Sequence, residues 1–369
     1  MKIKSFEFSI RELAGSMGDF GTLFPLAVGY IAVCGLNPTG FLVMMGAVNI
    51  ATGLIYRLPM PLQPMKVLAV MAIAQKWSPS MVYASAFGMG IIWTFFAATG
   101  LMELIARFTP TSVTRGIQVA LGILLAIQAL KMIFSWWLVG LISIAIVLFL
   151  RENRYAPASI VLMILGFLVI AVKGRITQIS LPGFNFPPLT GFTLQEVWQT
   201  LVLAGFAQLP LTATNAVIAT SALIKKYFPE KPVSEKKLSL NMGLMNLVSP
   251  FFGGMPMCHG AGGLAGQYYF GARTGGTNII EGTIEIFLGL FLGFSVASLF
   301  SFFPSAIIGG MMVMVGVELC KFAKDINFKK TNDIFPFAIT VIISVITNMA
   351  FGFAVGITLY HLLRFFLKR

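Results

Sequence analysis

Long apolar runs, separated by short polar or Pro/Gly-rich breaks, make up most of this sequence. Reading the runs between those breaks gives fourteen segments, and about 20 apolar residues suffice for one helix to cross a bilayer. Only 11% of the 369 residues are charged, whereas soluble domains carry about 25%. A single water-soluble core also stops growing at roughly 250–300 residues. The sequence therefore predicts an all-α polytopic membrane protein.

The fourteen segments divide equally between the two halves of the chain. In the first half they cover residues 13–34, 39–56, 64–75, 80–106, 112–133, 135–150 and 156–172. In the second half they cover residues 195–224, 237–253, 259–270, 276–299, 305–322, 333–349 and 351–367. The stretch between the halves is polar and rich in Pro and Gly, which is typical of a linker. We therefore predict a first seven-span repeat at 1–173, an extracytoplasmic linker at 174–193 and a second seven-span repeat at 194–369.

Basic residues cluster between the apolar segments, as topology determinants do. If the N-terminus lies in the cytoplasm and the chain crosses fourteen times, 21 of the 26 Lys and Arg residues fall on the cytoplasmic side, in agreement with the positive-inside rule. This pattern predicts a multi-pass protein of the cell (inner) membrane with both termini in the cytoplasm. It also accounts for the net charge of +13 without a nucleic-acid partner.

The two halves resemble each other in sequence. Four pairs of identical residues share a constant offset of 197 positions, namely Gly46 and Gly243, Asn49 and Asn246, Pro59 and Pro256, and Met60 and Met257. An odd number of spans per copy places the two copies in opposite orientations, which is the inverted-repeat architecture of many secondary transporters. We expect the two asparagines to hydrogen-bond to irregular backbone near them, because backbone groups inside a membrane must find partners.

The third segment in each half is too short to span the membrane and follows a proline-rich break. The breaks have the sequences PMPLQPMK (Pro59–Lys66) and MPMCHGAGGLAG (Met255–Gly266), and proline excludes regular helix there. Each short helix would then begin near the membrane midplane, where its free N–H groups and its dipole favour an anion. The predicted anion-binding residues of the two breaks are Gln63, Pro64, Met65, Lys66, Cys258, His259, Gly260, Ala261, Gly262 and Gly263.

Polar residues within other spans add to this prediction. Gln208 and Asn215, in the segment FAQLPLTATNAV, are neutral donors that suit a ligand which must be released again. Lys66 would attract an oxyanion, because a lysine inside a membrane is a functional candidate by default. The alternative is that Lys66 pairs with Asp19 or reaches a polar cavity. Asp19 and Glu281 are the candidates for carrying a coupling proton.

Glu281 and Glu285 lie on one helix face, since they are four residues apart. They could form a proton relay, or they could pair with Arg273 and loop lysines. The sequence contains no catalytic triad, metal-ligand cluster or nucleotide-binding P-loop. We therefore predict neither an enzyme nor a bound cofactor.

Three sequence blocks carry a family resemblance. They are Gly18–Leu54 with GDFGTLFPL and NIATGL, Pro59–Lys66, and Gly243–Gly276 with MCHGAGGLAGQYYFGAR, and Phe206–Ala219 is a weaker fourth block. With these motifs the chain resembles the molybdate transporter family, a branch related to the sulfate permeases. The resemblance implies a seven-plus-seven inverted-repeat fold in which a core domain moves against a gate domain. It also implies that substrate binds between the third and tenth helices. We expect no C-terminal cytoplasmic regulatory domain of the kind that sulfate permeases carry, because the chain ends at Arg369.

The expected function is secondary active import of molybdate with protons as the coupling ion. Sulfate, tungstate or oxyanions in general stay open as alternatives, because all are tetrahedral dianions. A nucleobase transporter is less favoured, since Cys258-His259-Gly260 offers no carboxylate for ring N–H groups. An anion channel is also less favoured, because broken helices are typical of carriers with an occluded site. The expected partners are the oxyanion, protons and the lipid bilayer, and a homodimer is an open alternative.

Overall fold

Helices account for most of the chain. The computed structural model describes the backbone of residues 2–3, 5–101, 108–150 and 158–366, and their side chains except at residues 2, 3, 19–22, 159, 160 and 318. The first half forms helices α1 (Ile10–Ser16), α2 (Phe20–Ala32), α3 (Pro38–Tyr56), α4 (Lys66–Gln75), α5 (Pro79–Thr99), α6 (Thr111–Ile133), α7 (Trp137–Leu150) and α8 (Ala158–Val172).

The second half forms a similar series of helices. They are α9 (Leu194–Tyr227), α10 (Glu235–Val248), α11 (Ala261–Phe270), α12 (Gly276–Ser301), α13 (Ser305–Cys320), α14 (Thr331–Ile346) and α15 (Met349–Phe366). Helix α9 contains two π-helical stretches, Leu201–Gly205 and Thr212–Ala219, and such wider turns within helices are frequent at functional sites.

Four two-residue strands complete the regular structure, together with short 3₁₀ turns. Strands β1 (Lys2–Ile3) and β2 (Phe6–Glu7) pair near the N-terminus, and β3 (Gln63–Pro64) pairs with β4 (Met257–Cys258) in the interior. The 3₁₀ turns are Met17–Asp19, Phe134–Trp136, Ile176–Gln178, Ser249–Phe252 and Lys321–Asp325.

Helix starts follow the capping signals of the sequence. Asn37 accepts a hydrogen bond from the N–H of Gly40 at 3.0 Å, and Pro38 occupies the first position of α3. Thr193 and Glu196 form a reciprocal capping box at the start of α9. These side chains satisfy N–H groups that have no partner within the helix.

Within the described residues, seven helices are long and apolar enough to cross a membrane. One of them, Thr111–Leu150, holds two predicted spans, because the turn Phe134–Trp136 divides it into α6 and α7. The turn Met17–Asp19 similarly divides the first predicted span into α1 and α2. Shorter apolar helices occupy further predicted spans, at Leu23–Ala32, Lys66–Gln75, Val161–Val172 and Thr331–Ile346.

Two close helix crossings organise one part of the bundle. Helix α3 packs along α12, and α5 packs along α10. Gly46 of α3 and Gly282 of α12 each face the carbonyl oxygen of the other, so neither position has room for a side chain. Gly243 of α10 lies against the backbone of Thr94 in α5 in the same way. Small residues allow this close approach between membrane helices.

Helices α6, α7, α13, α14 and α15 form the other part of the bundle. Helix α6 packs along α13 and α14, α7 packs on α13, and α14 packs along α15. The short helix α4 contacts α6, so the two parts meet beside α4.

The predicted linker, 174–193, crosses the surface without an α-helix or a strand. The N–H groups of Gly183 and Asn185 donate to the carbonyl oxygens of Phe291 and Leu290 at 2.9 and 2.7 Å. These bonds fasten the segment to α12.

Candidate anion-binding site

Strands β3 and β4 bring the two proline-rich breaks together. They pair antiparallel, with Gln63 opposite Cys258 and Pro64 opposite Met257. The N–H of Met65 extends the pairing by donating to the carbonyl oxygen of Pro256 at 3.0 Å. Because α4 and α11 begin directly after these strands, their N-terminal ends lie side by side, as the sequence predicts.

Asn246 holds the second break in its extended form. Its Nδ2 donates to the carbonyl oxygen of Met257 at 2.7 Å, and its Oδ1 accepts from the N–H of the same residue at 2.8 Å. The side chain is fully buried. The prediction that Asn246 satisfies broken backbone is therefore confirmed.

The same prediction for Asn49 is wrong. At the first break, Asn278 of α12 makes the two bonds to the backbone of Met60, at 2.9 Å to its N–H and 2.5 Å to its carbonyl oxygen. Asn49 instead accepts from Asn278 at 2.9 Å and donates to Glu285 at 2.8 Å. Asn278 takes the place expected for Asn49 because α3 and α12 cross closely. The crossing places Asn278 between Asn49 and the break.

Gln208 caps the start of α4. Its Oε1 accepts from the N–H of Val67 at 2.7 Å, and its Nε2 donates to the hydroxyl oxygen of Thr212 at 2.7 Å. Both ends of this buried amide are thus engaged with the protein. The predicted contact of Gln208 with substrate stays a prediction, and the observed contact is with a helix end.

The start of α4 is capped by Gln208, whereas the N-cap residue of α11 provides no capping side chain. Gly260 is the N-cap residue and has no side chain to offer, and Gly262 faces open space. The first N–H groups of a helix have no partner within it. The start of α11 therefore keeps N–H groups that an anion can use. Ala261 and Gly263 are buried beside them, and Gly260 lies against the side chain of Gln63.

His259 of the second break contacts both the first break and helix α10. The ring is fully buried, with Nδ1 3.1 Å from the carbonyl oxygen of Pro61 and Nε2 2.9 Å from Nδ2 of Asn241. An amide N–H donates to Nε2 only if that nitrogen is unprotonated, so this pattern fits a neutral imidazole with its proton on Nδ1. Both ring nitrogens are engaged by protein groups, and a substrate contact of His259 stays a prediction.

A cavity of about 370 Å³ lies beside the two helix starts. Lys66 and Gly262 contribute from the helix starts, and Asn215 contributes from the π-helical part of α9. The remaining lining residues are Thr109, Thr111, Thr114, Arg115, Gln118, Leu211, Thr214, Ala219, Leu319 and Phe322. Two of the lining side chains are cationic, and none of those described is acidic. Such a cavity favours an anion by charge and offers it neutral hydroxyl and amide donors.

Arg115 is the cationic lining residue that the sequence prediction missed, together with the neutral residues of the same wall. The positive-inside pattern counts it as a topology determinant, yet the structure places it in the cavity wall. A polar stripe at the start of this mostly apolar helix could have indicated that the helix faces a cavity. The stripe has helical spacing and consists of Thr111, Thr114, Arg115 and Gln118.

Comparisons with known proteins show the family of this chain. The family model described as "Molybdate transporter of MFS superfamily" matches residues 11–125 and 200–319. The chain belongs to the molybdate transporter family. It is 33% identical to Molybdate transporter 1 of Arabidopsis thaliana over 97% of this chain and 89% of that protein. It is 26% identical to the putative sulfate transporter YbaR of Bacillus subtilis (strain 168) over 91% of this chain and 73% of that protein.

The fold of this molybdate transporter family member also occurs in a solved structure. Murine solute carrier 26 family member A9, an anion transporter in the inward-facing state, superposes with a TM-score of 0.74 at 15% sequence identity. The superposition covers all of this chain and 70% of that one. At this identity the likeness shows a common fold.

The two coupling candidates of this family member lie on different elements. The backbone of Asp19 belongs to the turn Met17–Asp19, and its side chain lies outside the described residues, so its proposed roles stay predictions. Glu281 and Glu285 are buried and line a separate, largely apolar cavity of about 280 Å³. Glu285 accepts from Asn49, whereas the guanidinium of Arg273 donates to backbone carbonyl oxygens. The alternative that Glu285 pairs with Arg273 is therefore wrong.

Proposed function

We propose that this chain is a secondary active transporter that imports molybdate across the cytoplasmic membrane, with protons as the coupling ion. The observation that carries the proposal is the cavity at the adjacent starts of α4 and α11, with Lys66 in its wall. A tetrahedral dianion there meets free helix N–H groups, a cation and neutral donors. Each of these interactions favours negative charge, and none requires a covalent step.

The architecture we propose for this function is a seven-plus-seven inverted repeat, with repeats at 1–173 and 194–369 joined by the linker at 174–193. Two helix pairs support it, because α3 with α12 and α10 with α5 are the same contact made from opposite repeats. Gly46 and Gly243, which match in the sequence repeat, both lie at these crossings. The core domain would comprise α1–α5 and α9–α12, and the gate domain α6–α8 and α13–α15.

Import requires an orientation and a driving ion. The distribution of Lys and Arg supports cytoplasmic termini in a cell (inner) membrane. Asp19 and Glu281 are the proposed proton carriers, because carboxyl groups inside membrane spans are expensive to keep charged and often belong to proton relays. In this proposal the carrier works as a monomer or as a homodimer.

A sulfate or tungstate permease is the second candidate. The likeness to a putative sulfate transporter favours it, and so does the chemistry of the cavity, which recognises charge and hydrogen-bond acceptors more strongly than ion radius. The two candidates share one binding site and differ only in selectivity.

Uptake of labelled molybdate into proteoliposomes tests both candidates. We expect saturable uptake without ATP that is stimulated by an inward proton gradient and survives a large excess of unlabelled sulfate. Uptake that sulfate abolishes would assign the chain to general oxyanion transport. Uptake that ignores the proton gradient would remove protons as the coupling ion. Protein-free liposomes are the control for leakage.

A further inference from the structure

The guanidinium of Arg115 is fixed on three sides in the cavity wall. Its Nη2 lies 2.9 Å from Oδ2 of Asp325, and its Nη1 donates to Oε1 of Gln118 at 2.9 Å. The ring of Phe322 lies beneath it, 4.5 Å from the guanidinium carbon to the ring centroid. Its Nε is buried and has no hydrogen-bond partner among the described residues. An arginine held in this way presents a planar fork of donors, the geometry that binds oxyanions through paired hydrogen bonds.

Arg115 and Lys66 belong to different walls of the same cavity. Lys66 begins α4 in the part of the bundle that contains the two breaks, and Arg115 lies in the second turn of α6 in the other part. An anion between them would contact both parts at once. A doubly charged anion would match the two cations.

Asp325 is the more exposed member of its ion pair with Arg115. Asp325 ends the turn Lys321–Asp325 and its side chain is 48% exposed, whereas that of Arg115 is 27% exposed and is also held by Gln118 and Phe322. If the pair opens, the carboxylate can enter solvent while the guanidinium stays in the cavity wall. Exposed ion pairs of this kind contribute little to stability, so Arg115 and Asp325 can separate without a large loss in the free energy of unfolding.

We propose that Arg115 is a second binding residue for the oxyanion and that Asp325 is an internal competitor for it, which lowers the affinity of the cavity for every anion. The inference rests on the proposed function, because it concerns the ligand of that same cavity. An incoming anion must replace the Asp325 carboxylate at Arg115. The cost of opening this ion pair is the same for a dianion and a monoanion, whereas a dianion gains twice the Coulomb attraction to Lys66 and Arg115. A dianion therefore still binds at concentrations at which a monoanion of the same shape does not.

Tungstate and perrhenate test the proposal, because both are tetrahedral oxyanions, with charges of −2 and −1. Their displacement of labelled molybdate from the purified full-length protein is measured near neutral pH. In the wild type we expect tungstate to compete at far lower concentration than perrhenate. In Asp325→Asn we expect the affinities for both anions to rise by about tenfold, since a charge-assisted hydrogen bond no longer has to be given up when an anion binds.

Three further variants make the outcome decisive. Asp333→Asn changes a carboxylate in the first turn of α14 and should leave both affinities unchanged. Arg115→Gln should weaken both anions, and Arg115→Lys, which keeps the charge and loses the fork, should lie between it and the wild type. If Arg115→Gln does not fold, the affinities of Arg115→Lys for the two anions test the binding role of Arg115.

The possible failures are distinguishable. Affinities for both anions that are the same in Asp325→Asn and in the wild type overturn the competitor role of Asp325 and leave the transport proposal standing. Unchanged affinities in Arg115→Lys and Arg115→Gln overturn the binding role of Arg115. A wild-type protein that binds neither molybdate nor tungstate overturns the proposed function and this inference together.

Discussion

Asn278 engages both backbone polar groups of Met60, although 218 positions separate the two residues in the chain. Asn246 makes the same two contacts to Met257 from only 11 positions away. Each break is thus held in an extended form by an asparagine. That of the second break lies in the same half of the chain, and that of the first break lies in the other half. The first break depends on a helix of the other half of the chain, so its shape cannot be specified by the first half alone.

Replacing Asn278 with Ala should destabilise the protein strongly. The N–H and carbonyl groups of Met60 would both lose their partner in a buried environment, at roughly 1–3 kcal/mol for each group. Thermal unfolding in detergent, followed by tryptophan fluorescence, should show a clear decrease in Tm. Asn327→Ala removes an asparagine from an exposed loop and should change stability by less than about 0.5 kcal/mol. Equal melting of the two variants would contradict the role assigned to Asn278.

Replacing Lys66 with Gln should weaken binding more than folding. The variant loses a charge-assisted contact to the anion worth about 1.5–3 kcal/mol, which corresponds to roughly 10–100-fold in Kd. The KM of molybdate uptake measures the effect. Lys76→Gln is the matched control, because Lys76 follows the opposite end of the same helix and is exposed. A KM that rises equally in both variants would show only a general effect of positive charge.

Adding a methyl group should have opposite consequences at Gly260 and Gly262. At Gly262 the methyl group meets open space, so the protein should fold normally and molybdate should bind more weakly, because the methyl group occupies part of the cavity. At Gly260 it meets the side chain of Gln63, and overpacking of this kind destabilises by about 1–3 kcal/mol. Thermal unfolding and Kd, measured on both alanine variants, separate the two effects. Wild-type affinity in Gly262→Ala would exclude this helix start from the binding site.

Replacing Gly282 with Val should separate α3 from α12. The carbonyl oxygen of Gly46 lies where the new side chain would begin, so the helices must move apart and the Asn278 contact would be strained. We expect a large loss of monodisperse protein in size-exclusion chromatography. Gly191→Val adds the same side chain in the linker, where nothing lies within 4 Å of the new carbon, and should behave as wild type. Normal yield of Gly282→Val would mean that the crossing tolerates more distance than its packing indicates.

Local chemistry made much of this site predictable. The proline-rich breaks indicate where α4 and α11 begin, because proline cannot continue a helix, and the observed starts at Lys66 and Ala261 lie within two residues of the predicted ones. Asn246 was predictable because its partner is close in the chain. The family was also recognisable from motifs at the two breaks and in the segment Gly18–Leu54.

Contacts between distant parts of the chain were not predictable in this way. Asn278 replaces Asn49 at the first break because α12 crosses α3 closely, and the sequence does not reveal which helices cross. Gln208 was expected to face substrate, yet its amide caps α4. Arg115 was missed because a basic residue at the start of a span has the same composition signal whether it faces cytoplasm or a cavity. In each case the identity of the neighbour determines the role.

The antiparallel pairing of Gln63 with Cys258 also sets the order of events during biosynthesis. The ribosome releases Gln63 long before Cys258, so the first break must wait in the membrane or its insertion machinery without its partner strand. On the proposed function, a nascent chain that ends within the linker cannot yet bind the anion, however well its helices have inserted. The proposed binding site is therefore completed late in translation, and a premature stop before Cys258 would leave a chain without it.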